Sequence, residues 1–243
     1  MADIQLDSHL LNFIVEQEYQ PGDRLPTIAE LGDHDHLNIS VSKVREQLEV
    51  ARALGLVDVK SQAGTRLKEY SFAPAVHLSL FYALATDLRY FEQFSALRTH
   101  VEVAFWHEAC QLLTDADKDE LRGYIEAAWG KLNAPRIRIP NDEHRAFHLT
   151  IFRHLDNVFV KGLLEAYWDA YAAVELNVYA ELTYHREVWE YHQRILDAIC
   201  TGDFDAAQEA YIQHTRLLHY PTRIQAVEAG AEAHLAEKLP DTV

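Results

Sequence analysis

The chain has 243 residues, 49% hydrophobic and 25% charged, with 9 Gly, 7 Pro, 2 Cys and a formal net charge of -16. At about 150 residues per domain, this length makes one large domain or two unequal ones, either able to bury a core. The composition excludes collagen, low-complexity disorder and a disulfide-stapled miniprotein, and the overall acidity argues against nonspecific nucleic-acid binding.

Residues Met1 to Asp7 are acidic and show no basic-then-apolar leader, and no apolar run nears the roughly 18 residues of a membrane span. Cys110 and Cys200 are too few for a disulfide framework and fit a reducing compartment. The expectation is a cytoplasmic protein with no membrane partner.

Leu10, Leu11, Ile14 and Val15 recur at helical spacing, which predicts an amphipathic helix over 5–18, broken at Pro21-Gly22-Asp23. Thr27 with Glu30 three residues later is a capping-box pattern for a second helix from Ile28. His34-Asp35-His36 is a polar interruption, and Asn38-Ile39-Ser40 opens a third helix carrying Val44, Leu48, Ala51 and Leu54 on one face, closed by Gly55. Leu56–Lys60 and Thr65–Lys68 alternate as strands about a turn at Ser61–Gly64.

Charge is unevenly placed along this stretch. Residues 1–39 hold Arg24 against eight acids, whereas residues 40–68 hold six bases (Lys43, Arg45, Arg52, Lys60, Arg66, Lys68) against three acids. Three short helices and a two-stranded wing make a winged helix-turn-helix over residues 1–70, whose third helix enters the major groove. Ser40, Ser42, Lys43 and Arg45 then face DNA from the third helix, with Gly64 and Arg66 in the wing. Arg45 has the fork needed for a guanine edge. The alternative is that these charges are merely a solvated face.

Beyond a linker at 71–74, the pattern predicts helices near 75–86, 88–112, 115–132, 141–155, 157–180, 185–201 and 203–219. This gives an all-α antiparallel bundle of six to seven helices over 75–225, in a mainly α protein. Thr114, Asn141 and Asp203 are the expected caps and Gly202 the expected stop. Residues 226–243 read as a loosely held tail.

The bundle carries much of an unusual load of 14 His. His144 and His148 are four apart, hence on one helix face. His192 and His214 flank Gly202 at 10 and 12 residues, nearly level in a helical hairpin at about 1.5 Å rise per residue. Together they form a set of imidazole ligands suited to Zn, Ni, Fe or Mn. Each His alone is more often a surface or core residue. Tyr167, Trp168 and Tyr171 read as core, and His100, His107, His154, His185 and His219 as ordinary.

Two stretches resemble known families. Pro21-Gly22-Asp23-Arg24-Leu25-Pro26-Thr27-Ile28-Ala29-Glu30-Leu31, Ile39 to Leu48, Leu54-Gly55-Leu56-Val57 and Ala63-Gly64-Thr65 resemble the N-terminal domain of GntR-superfamily regulators. Family members usually carry Arg where Ala29 and Val41 stand, and Lys43 replaces a Pro. His144–His148, Asn157, His192–Ile199, Gly202-Asp203 and His214 resemble the all-helical FCD effector domain of the FadR subfamily.

That resemblance implies a metal on His148, His192 and His214, with His144 in place of the family Asp. An all-nitrogen set favours Zn, Ni or Cu over Mn, with Zn or Ni the leading expectation. The resemblance of Leu97 to Glu102 to the family's first effector helix makes Arg98 the candidate clamp for a small carboxylate effector. The bland alternative is an Arg98–Glu102 surface pair. The implied protein is a homodimeric regulator, a repressor by family habit, that binds a palindromic double-stranded operator and is not an enzyme. Two alternatives are a metal-free acyl-CoA or fatty-acid sensor of the same subfamily and a His-site metalloenzyme.

Overall fold

Ser8 sets the start of the first helix, α1, which runs His9–Glu16. Its side chain accepts the Leu11 N–H, while the Gln47 side chain accepts the Leu10 N–H at 2.8 Å. Two of the four orphan amides of the first turn are thereby satisfied, so the helix begins at residue 9 rather than 5. The computed structural model describes residues 4–60, 64–174 and 182–217, and all statements below concern these.

Helix α2 spans Ile28–Gly32, with both halves of the Thr27–Glu30 capping box formed. It is short because residues 33–37 fold into turns, closed by the Leu37 N–H on the Leu31 carbonyl. Helix α3 spans Val41–Ala53, capped by Ser40, whose side chain accepts the Lys43 N–H. Gly55 ends it at φ +73, and a Cβ there would lie 2.5 Å from the Pro74 ring. Only glycine meets both demands.

Strands β1 (Val57–Lys60) and β2 (Gly64–Leu67) pair antiparallel, with Val57 opposite Leu67 and Lys60 opposite Gly64. The segment after Pro21 adds an extended edge to this hairpin. The Gly22 and Leu25 amides donate to the Leu67 and Thr65 carbonyls, and the Leu67 amide donates to Asp23. The helix breaker at Pro21-Gly22-Asp23 thus also begins an edge of the wing. Leu10, Leu31, Val44 and Ala51 are fully buried beneath, with Leu25 and Val57 closing the core.

The chain divides into two compact units, 1–79 and 80–243. Helix α4 (Ala73–Thr86) starts two residues earlier than expected, since Pro74 is compatible with a first helical turn. There follow α5 (Tyr90–Gln111), α6 (Asp115–Leu132), α7 (Asn141–Ile151), α8 (Val158–Ala173), α9 (Leu182–Thr201) and α10 (Phe204–Arg216). Thr114 and Asp203 cap as expected.

Asn141 does not cap. It is the first helical residue, because the Pro140 carbonyl already accepts the His144 N–H at 3.0 Å. Helix α7 ends four residues early in turns around Phe152 and Leu155, and Asn157 caps α8 through the Phe159 and Val160 amides. Helix α8 ends at Ala173, with Val174 as its C-cap, and α10 at Arg216, with Leu217 as its C-cap, so both stop short of the expected 180 and 219. His219 and the tail at 226–243 lie outside the described residues.

In the bundle, α9 packs on α6 and α10, α5 on α8 and α10, and α7 on α6 and α8. Trp106, Leu121, Phe147, Leu164, Ile195 and Tyr211 anchor its core. Among the described residues no helix is long and apolar enough to cross a membrane.

Candidate metal centre and candidate nucleic-acid interface

His144 and His148 project from one face of α7, His192 from α9 and His214 from α10. All four are buried, and one ring nitrogen of each lies within 4.8 Å of the others. The closest pairs are His148 Nε2 to His192 Nε2 at 3.2 Å and His144 Nε2 to His214 Nε2 at 3.3 Å. Two nitrogens on a tetrahedral zinc, each about 2.05 Å away, stand about 3.3 Å apart. The donor set therefore fits a divalent transition metal.

Burial keeps these rings neutral, as metal ligation requires. It is the first cause holding His144, His148 and His214 well below the usual imidazole range, reinforced by Arg98 and by neighbouring rings. His192 falls to about 3, again through burial, although its bond to the Val188 carbonyl opposes the shift. Aromatic rings wall the cluster: Trp168 lies 4.7 Å from His144 and Trp189 stacks at 4.5 Å on His192.

Arg98 lies against this centre. It is 4% exposed and forms an ion pair with the wholly buried Glu102, so the pair at i,i+4 is no surface pair. The Tyr211 hydroxyl donates to the same carboxylate oxygen, Oε2. The Tyr167, Trp168 and Tyr211 rings face the guanidinium at 4.6, 5.3 and 5.6 Å. Burial pushes the Glu102 carboxyl up against the pull of Arg98, while Glu102 raises the arginine despite its burial.

Hydrogen bonding fixes two tautomers. Arginine only donates, so the Arg98 Nη2 contact at 3.0 Å makes His148 Nδ1 an acceptor and leaves the ring proton on Nε2. A carbonyl only accepts, so His192 Nδ1 donates to Val188 at 2.7 Å and its Nε2 holds a lone pair. Glu102 Oε1 has no hydrogen-bond partner and lies 3.8 Å from His148 Nδ1.

Tyr167 and Trp168 are core residues, as expected, and also face Arg98; Tyr211 is the residue not singled out from the sequence. Its signal was helical spacing: Tyr211 precedes His214 by one turn, as Trp189 precedes His192. Among the histidines read as ordinary, His107 and His154 bond Asp205 and Asp117, each at 2.9 Å.

In the N-terminal unit, the first turns of α3 present exposed Val41, Ser42, Lys43 and Arg45. Ser40 Oγ is engaged as the helix cap, and Lys43 pairs with Glu46 at 3.0 Å. Arg45 is exposed with no ion pair or hydrogen bond among the described residues. In the wing, Arg66 donates to the Gly22 carbonyl at 2.6 Å, and Gly64 sits at φ +76 beneath the Arg24 guanidinium. Arg24, the lone base of the acidic first 39 residues, thus joins the wing cations.

Residues 5–67 match the bacterial regulatory proteins of the gntR family, and residues 93–217, just over half the chain, match the FCD domain. The chain belongs to the GntR family of transcription regulators. It is a DNA-binding regulator with an FCD effector-binding domain, not an enzyme.

It is 26% identical to the HTH-type transcriptional regulator LutR of Bacillus subtilis over 205 residues, covering 81% of this chain and 90% of that one. The uncharacterized regulator YieP of Escherichia coli is 23% identical over 84% of this chain and 88% of its own. Among solved structures, a Streptococcus agalactiae GntR protein superposes with a TM-score of 0.61 at 21% identity. That match covers 86% of this chain and 94% of that one, and shows the fold.

Proposed function

We propose that this GntR regulator is a cytoplasmic, homodimeric repressor whose operator binding is set by a small carboxylate effector at a Zn or Ni centre. The observation that carries this reading is the convergence of four buried, neutral imidazoles beside a buried guanidinium. His144, His148, His192 and His214 hold the metal, and Arg98 clamps the effector carboxylate. A bound divalent metal would supply a Lewis acid for an effector oxygen.

Ser40, Ser42, Lys43 and Arg45 read the major groove and phosphates, while Gly64 and Arg66 bring the wing to the backbone. A two-fold protein matches a palindromic operator. The effector releases DNA by binding one arrangement of the dimer more tightly than the other.

Elemental analysis of untagged protein purified without chelator tests the metal centre. The expected result is near one metal per chain in wild type and loss of that metal in His148→Ala. No metal in wild type after reconstitution with zinc or nickel overturns the reading.

A further inference from the structure

His148 faces two ways. Its Nε2 points into the four-His cluster, 3.2 Å from His192, while its Nδ1 accepts from Arg98 Nη2. A neutral imidazole has one proton, and the Arg98 contact places that proton on Nε2. A ligating Nε2 must instead be a lone pair, so a ligating His148 carries its proton on Nδ1, opposite an arginine N–H that can only donate. Two donors cannot share that contact. The structure supplies an alternative acceptor: Glu102 Oε1, buried without a hydrogen bond, 3.8 Å from the same Nδ1.

We propose that Glu102 is the positioning residue of the metal centre and that His148 exchanges partners on metal loading, giving up Arg98 and donating Nδ1–H to Glu102 Oε1. One proton leaves Nε2 and one is taken at Nδ1, so the ring stays neutral and no net proton is exchanged. The move closes the 3.8 Å gap to about 2.8 Å, a normal charge-assisted bond. Glu102 keeps Arg98 and Tyr211 on its other oxygen.

The exchange also frees one Arg98 Nη2 donor in a buried setting ringed by Tyr167, Trp168 and Tyr211, where an unpaired donor is costly. An anionic oxygen satisfies it. Metal loading thereby arms the arginine, and the effector carboxylate follows the metal in order. This inference rests on the metal-centre reading above.

The test is two-bond 15N–1H correlation NMR of 15N-histidine-labelled full-length protein, before and after one equivalent of zinc, with His148→Ala assigning the signal. Zinc uptake is counted on the same samples by elemental analysis. The expected result is a His148 proton on Nε2 in chelated protein and on Nδ1 once zinc is bound. An Nδ1 proton already present in chelated protein overturns the exchange while leaving the four-His centre standing, whereas zinc bound with the His148 proton still on Nε2 overturns the exchange and removes His148 from the ligand set. No zinc uptake overturns both. In Glu102→Gln, zinc binding should weaken by about 10- to 100-fold, the usual effect of losing a partner that orients a ligand. Unchanged affinity in that variant refutes the role of Glu102.

Discussion

Acid sensitivity of the metal-free bundle follows from the four histidines. Each has its folded-state pKa depressed, chiefly by burial. Below the ordinary imidazole pKa of about 6.5, the unfolded chain binds a proton at each ring and the folded chain does not. Stability therefore rises with pH in this range: it is fully present above about pH 6.5 and is lost as pH falls. At pH 5.5 each ring that stays neutral in the fold costs on the order of 1 kcal/mol, and four together several kcal/mol, a large share of a typical total stability of about 5–15 kcal/mol.

Other carboxylates leave the signature legible. Asp117, held down to about 2 by bonds from Thr114 and His154 that outweigh its desolvation, titrates below this window. Glu102, raised by burial, acts in the opposite sense and offsets part of the loss. All four tryptophans (Trp106, Trp129, Trp168 and Trp189) lie in the 80–243 unit, so their fluorescence reports its unfolding. Urea titrations in chelator at pH 7.5 and 5.5 should show stability falling by several kcal/mol. His192→Phe should reduce that fall by about a quarter. A fall below about 2 kcal/mol would refute the premise that all four rings are buried and neutral.

Two further outcomes concern the N-terminal unit. Arg45→Ala should weaken binding to an operator selected from random duplexes by about 1–3 kcal/mol, or 5- to 150-fold, with metal content unchanged. Fluorescence anisotropy that finds wild-type affinity would return Arg45 to a solvated face. Gly55→Ala should destabilise this unit by more than about 2 kcal/mol, through its positive φ and its clash with Pro74. An unshifted circular-dichroism melt would show that the α3 terminus can relax at little cost.

Sequence by itself determined the helical periodicity, the Thr27–Glu30, Thr114 and Asp203 caps, the hairpin and the spacing that brings four histidines together. These are local properties: a cap acts over three residues, and the side chains of a helix repeat on one face every turn. Boundaries were less legible where distant groups intervene, as Gln47 does at the start of α1 and the Pro140 carbonyl does at α7.

Only tertiary structure decided how the site is wired. The Arg98–Glu102 pair has the spacing of a surface ion pair, and α5 shows no sign in its sequence that this face meets α8 and α10. Packing those helices together excludes water, and the same two charges become a buried pair beside His148. Arg24 likewise belongs to an acidic stretch in sequence and to the wing in space, because backbone pairing with β2 carries it there. Charge patterns add along the chain, but electrostatic consequence depends on burial and neighbours, which are set by contacts far apart in sequence.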